Sequence, residues 1–97
     1  MCLPYSGIAY FTSRDRVVYV QTTFGEKGPV RRTLDQVEEH LRKSGFFVRC
    51  HKSYLVNRDC CLELNKSDKT LVLKHGHRVP VSRAYWDAVS EQLLPKT

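Results

Sequence analysis

Ninety-seven residues, 41% hydrophobic and 27% charged, describe one domain with a modest core and exclude a polar, disordered chain. Sixteen Lys and Arg against ten Asp and Glu leave a net charge of +6 and a pI near 9.4, an excess that draws polyanions to the surface. No apolar run approaches the roughly 20 residues a membrane span needs, and Met1-Cys2-Leu3-Pro4-Tyr5 lacks the regions of a signal peptide, so no membrane partner is expected and the expected location is the cytoplasm. There Cys2, Cys50, Cys60 and Cys61 stay reduced.

Taken in chain order, Ile8-Ala9-Tyr10-Phe11-Thr12 reads as a short strand, followed by the polar break Ser13-Arg14-Asp15-Arg16. Residues 17–24 are rich in β-branched and aromatic side chains and form a second strand. Gly25-Glu26-Lys27-Gly28-Pro29 then breaks the pattern, and Val30-Arg31-Arg32 is the expected third strand. Thr33 with Gln36 three residues later makes a capping box, and Leu34, Val37 and Leu41 recur at helical spacing. Acids come early in this helix and bases late, as its dipole prefers, and Gly45 is placed to end it in a left-handed conformation.

The β pattern returns after Gly45. Phe46, Val48 and Cys50 alternate with Phe47, Arg49 and His51, which puts the first set toward the core. Tyr54-Leu55-Val56, Cys61 to Leu64, Thr70 to Leu73 and Arg78 to Val81 are further strands, with turns at residues 65–69 and 74–77. Pro80 has no N–H for a ladder, so its strand belongs at an edge. Tyr85, Trp86, Val89 and Leu93 predict a short terminal helix begun by Ser82. The sum is one mainly β domain over residues 1–97.

Catalytic signatures are missing: there is no Gly-rich phosphate loop, nucleophile elbow or spaced pair of carboxylates, so neither an enzyme nor a cofactor is expected. Cys50 and His51 are neighbours on a strand and point to opposite faces, which argues against a thiolate pair. Cys50-His51, Cys60-Cys61 and His75-Gly76-His77 lack the spacing of zinc ligands, so no metal is expected. The loops are richer. Arg14-Asp15-Arg16, His51-Lys52-Ser53, Asn57-Arg58 and Ser82-Arg83 all fall between elements, and each offers groups that hold phosphates or pair with base edges. Any one of them alone is an ordinary solvated loop; four in one small basic domain point to nucleic acid.

Residues 46–57, Phe-Phe-Val-Arg-Cys-His-Lys-Ser-Tyr-Leu-Val-Asn, closely resemble the hallmark F-x-R-x-H-[RK]-S-[FY]-[LI]-V-N of the LytTR family. Val81-Ser82-Arg83-Ala84-Tyr85 resembles its closing V-S-R-x-Y, and the likeness runs from about Ile8 to Val89. That family is the DNA-binding output domain of bacterial response regulators in two-component systems. The resemblance implies a ten-stranded, mostly antiparallel β fold with one short central helix and a short C-terminal helical turn. It implies sequence-specific recognition of double-stranded DNA for transcription regulation, with loops in successive major grooves and a bent duplex. The contacts carried over are Arg14, Asp15, Arg16, Arg49, His51, Lys52, Ser53, Asn57, Arg58, Ser82 and Arg83. Lys52 and Arg83 stand where the family reads bases, while Arg49, His51 and Ser53 position the backbone or brace the loops from within. Direct-repeat targets, a homodimer on DNA and a receiver domain in a longer parent are the implied partners. The family has another strand before the Ile8 region, so a domain lacking that strand, and no receiver domain, is the expected organisation. The alternative reading is an interaction module of the same fold that sequesters or regulates a related transcription factor.

Overall fold

The computed structural model describes residues 7–22 and 24–93; Cys2 lies outside them. β1 (Ile8–Arg14) and β2 (Val17–Thr22) form a hairpin in which Arg14 faces Val17 and Phe11 faces Val20. β3 (Gly25–Val30) returns along β2, with Thr22 opposite Gly25 and Val18 opposite Val30. This corrects the sequence expectation, which made 25–29 the break and began the strand at Val30. The register slips opposite Tyr19, so Gly28 and Pro29 occupy a bulge on an edge strand, where the missing N–H of Pro29 is tolerated. A Cβ on Gly28 would lie 3.1 Å from the Tyr19 ring and 3.3 Å from the Val18 carbonyl at a φ of 136°, so glycine is required there.

The capping box is present in full. The Gln36 N–H donates to Thr33 Oγ1 at 3.1 Å and the Thr33 N–H donates to Gln36 Oε1 at 2.9 Å, starting α1 (Leu34–Leu41). A 3₁₀ turn at Arg42–Ser44 extends it to Gly45, whose φ of 72° ends the helix as expected. β4 (Phe47–His51) and β5 (Tyr54–Asn57) follow, and β5 inserts between β1 and β4 to give the antiparallel order β3-β2-β1-β5-β4. β6 (Cys61–Asn65), β7 (Thr70–Leu73) and β8 (Arg78–Pro80) make a separate three-stranded sheet, with Pro80 on an edge strand. α2 (Arg83–Leu93) closes the described chain.

The larger sheet is covered on both faces. Leu34, Val37 and Leu41 of α1 bury one face with Ile8, Phe11, Val18, Val20 and Leu55. Val48, Cys50 and Val56 on the opposite face meet Leu71, Leu73 and Val79 of the smaller sheet, together with Val81 and Val89. β5 is therefore apolar on both sides, and Leu55 and Val56 are fully buried.

Two further expectations are corrected. Phe46 precedes β4 and is 42% exposed, whereas Phe47 packs on the core with its ring 5.6 Å from Phe11. Because α1 covers the second face of β4, both phases of that strand are apolar, and alternation could not choose between them. The described residues hold eight strands. The terminal helix has eleven residues rather than a single turn, because Tyr85, Trp86, Val89 and Leu93 all pack on the second core cluster.

Candidate nucleic-acid interface

β1 runs antiparallel to both β2 and β5, so the β1–β2 and β4–β5 turns open at the same end of the sheet. Asp15 and Arg16 span the first turn with φ of 51° and 68°, the paired positive values of a type I′ hairpin. The Ser13 N–H donates to the Ser53 carbonyl at 2.9 Å, which joins the two turns. On the far side of β4, the Ser82 N–H donates to the Cys50 carbonyl at 2.9 Å and brings Ser82-Arg83 to this same end. Arg16, Lys52 and Arg83 are exposed there.

Sequence reasoning missed two arginines. Val30 lies opposite Val18, so β3 leaves the sheet at this end as well and delivers the exposed Arg31 and Arg32 beside the β1–β2 turn. Their signal is the consecutive Arg pair itself, which the sequence pattern places in a strand. Across the sheet the cationic segments run Arg31-Arg32, Arg14 to Arg16, Lys52-Ser53, then Ser82-Arg83. With strands about 4.8 Å apart, five strands and the adjoining start of α2 make a row about 20–25 Å long.

Several of these side chains are held. Arg14 donates to Glu26 Oε2 at 2.7 Å and stacks 4.4 Å from the Tyr19 ring centroid, and the bond to Glu26 raises its pKa further. The Arg49 side chain is only 8% exposed. Its Nε donates to the His51 carbonyl at 2.8 Å and its Nη2 to the Lys52 carbonyl at 2.6 Å, while Nη1 reaches Asp35 at 2.7 Å and Glu38 at 2.8 Å on α1. Burial opposes its charge, but the two carboxylates outweigh that and raise its pKa. Arg49 thus braces the Lys52 turn from beneath.

His51 Nδ1 accepts from the Ser53 N–H at 3.1 Å and its ring packs edge-on against Tyr54, a geometry that requires Nδ1 without a proton. Burial, then Lys52 and Arg49, lower its pKa. The unfolded chain therefore binds more protons, so this contribution to stability is present above the unfolded pKa of about 6.5 and is lost as pH falls through the folded value. His51→Gln is expected to flatten the dependence of the urea midpoint on pH below about 6.5. An unaltered slope would remove His51 from that role.

Asn57 and Arg58 are not brought to the row. They sit at the opposite end of β5, about 10 Å away along the strand. Asn57 is 1% exposed; its amide donates to the Ile8 carbonyl at 2.8 Å and its Oδ1 accepts from the Asp59 N–H at 3.0 Å. The Arg58 N–H donates to the Phe46 carbonyl at 2.7 Å and its guanidinium to Gly45 at 3.1 Å. Their loop-like sequence reflects a 3₁₀ turn capped by Asn57, at the end of the sheet away from the row.

Burial pushes the thiols of Cys50 and Cys61 up to about 12 and raises that of Cys60, so all three stay protonated near neutrality. Among the described residues no cluster of three His, Cys, Asp or Glu is arranged to hold a metal ion, and no helix is long and apolar enough to cross a membrane.

Residues 1–94 match the profile of the LytTr DNA-binding domain. The transcriptional regulatory protein BtsR of Escherichia coli K12 is 33% identical over 94 residues, covering 94% of this chain and 38% of that protein. The sensory transduction protein LytT of Bacillus subtilis is 36% identical over 81 residues, covering 80% of this chain and 33% of that one. The chain thus spans between a third and two-fifths of the length of these curated relatives. A solved LytTr DNA-binding domain from Bacillus cereus superposes with a TM-score of 0.82 at 28% identity, covering 98% of this chain and 88% of that one. With the whole fold shared and nearly every residue inside the family match, the chain belongs to the LytTr DNA-binding domain family.

Proposed function

We propose that this domain binds double-stranded DNA sequence-specifically in bacterial transcription regulation, acting in the cytoplasm through the cationic row at one end of the larger sheet. The observation that carries the reading is the convergence there of four segments distant in sequence, two of them joined by the Ser13–Ser53 hydrogen bond. Lys52 and Arg83 read base edges, and Asp15 at its turn tip accepts from a cytosine amino group. Arg14, Arg16, Arg31 and Arg32, with Ser53 and Ser82, hold phosphates. A row about 20–25 Å long exceeds the ~12 Å width of one major groove, which favours contact with successive grooves on a bent duplex. The similarity to response regulators supports a parent protein carrying a receiver domain, and two copies on direct repeats.

If four to six phosphates are neutralised, log affinity falls against log salt with a slope of roughly −4 to −5. A flat salt titration, or equal affinity for every duplex after selection from a random pool, would sink the proposal. Arg83→Ala is expected to cost about 1–3 kcal/mol on the selected duplex and to relax preference at one position. Replacing both Arg31 and Arg32 with Ala should instead weaken all duplexes alike and make the slope shallower by about 2. An unchanged slope for that double variant would place the pair outside the interface.

A further inference from the structure

We infer that Glu38 and Asp35, acidic residues of α1 that contribute no cation to the interface, are positioning residues for DNA discrimination, acting through Arg49 on the backbone that carries Lys52. The inference rests on the DNA-binding reading above and deepens it. One guanidinium joins three elements. Its Nη1 is bound by Asp35 at 2.7 Å and by Glu38 at 2.8 Å, while Nε and Nη2 hold the carbonyls of His51 and Lys52 at 2.8 Å and 2.6 Å. The Arg49 guanidinium also lies 5.9 Å from the Tyr85 ring centroid, in the first turns of α2 just after Arg83. The two residues assigned to base reading therefore flank a single buried cation whose orientation is set by α1.

Nothing else about these acids suits a polyanionic ligand. As charges alone they repel DNA, and deleting one should tighten binding to any duplex. As positioning residues they do the opposite for the correct sequence. Without its carboxylate partners the Arg49 fork is free to turn, the Lys52 carbonyl loses a fixed donor, and the Lys52 side chain samples more directions. A bidentate or angular contact to a base edge suffers from that loss, whereas a phosphate contact tolerates it. The two roles thus predict opposite signs on the specific duplex. Glu38, 35% exposed, is the more shielded partner and the stronger lever; Asp35, 86% exposed, is the milder one.

The experiment compares the wild-type domain with Glu38→Gln, Asp35→Asn and the control Glu39→Gln, against the selected duplex and a scrambled one. Glu39 lies on the same helix but pairs with Arg42 at 3.0 Å, so its replacement changes net charge equally without touching Arg49. Glu39→Gln should tighten both duplexes alike. Glu38→Gln should weaken the selected duplex roughly three- to tenfold while leaving the scrambled one equal or tighter, with an unchanged salt slope. Asp35→Asn, which puts little at risk in folding, should do the same to a smaller degree. Both variants should also shift the amide resonances of His51, Lys52 and Ser53. Equal tightening of both duplexes by all three variants overturns the inference and leaves the function standing. Equal weakening of both duplexes by Glu38→Gln, with the resonances unmoved in Asp35→Asn, also overturns it. A wild-type domain that treats the two duplexes alike overturns the DNA-reading proposal itself.

Discussion

Arg49→Ala is expected to destabilise the domain by about 3 kcal/mol and to abolish discrimination between DNA sequences. The side chain is 8% exposed and makes two hydrogen bonds to carbonyls of the β4–β5 turn, besides its two ion pairs. Asp35 is well solvated and regains water when the arginine is gone, so its pair contributes within about 1 kcal/mol. Most of the cost comes from the two carbonyls and from Glu38, which lose a charged donor. In a domain of this size the loss should lower the melting temperature by more than about 10 °C. Arg49→Lys keeps the charge but has no planar fork to reach both carbonyls and both acids, so it should recover only part of the stability. Urea denaturation of the two variants checks the ranking. If Arg49→Ala left stability unchanged but made the salt slope shallower by about 1, Arg49 would be a phosphate contact instead of a brace.

Asn57→Ala should be comparably costly for a different reason. The residue is 1% exposed, and its amide ties the first residue of β1 to the turn after β5 through Ile8 and Asp59. Removal leaves the buried Ile8 carbonyl with only the weak Cys60 thiol donor at 3.6 Å and takes the cap from the part-buried Asp59 N–H, a loss of about 2–3 kcal/mol. Because Asn57 stands at the end of the sheet away from the cationic row, the folded fraction should keep the wild-type salt slope and base preference. Binding measured well below the melting temperature separates the two effects. Loss of base preference in a variant of normal stability would return Asn57 to the reading surface.

Where one physical requirement was local, the sequence was sufficient. The capping box from Thr33 to Gln36 and the left-handed stop at Gly45 depend on side chains and backbone groups only a few residues apart, and both appear where expected. The edge position of Pro80 follows from its missing N–H alone. The hallmark around residues 46–57 and the closing motif at 81–85 were enough to name the family, since their residue types are tied to each other in order and spacing. Gly25 to Pro29 reads as a break because a glycine-proline pair interrupts an interior strand, but a bulge accommodates it at an edge, and edge position is a property of the whole sheet. Alternation cannot tell Phe46 from Phe47 because it assumes one buried face, while β4 has α1 on one side and the smaller sheet on the other.

The sequence by itself determined which residue types were available: a basic domain, a set of polar and cationic turns, one well-capped helix and a recognisable family motif. Only the tertiary structure decided which of those turns act together. Strand order β3-β2-β1-β5-β4 gathers Arg31-Arg32, Arg14 to Arg16, Lys52 and Arg83 at one end and sends Asn57 and Arg58 to the other. It also turns Arg49 inward onto two acids of α1 that no local pattern connects to it. Pairing between strands distant in the chain is set by burial on both faces of the sheet, so the location of each turn is a property of the assembled core.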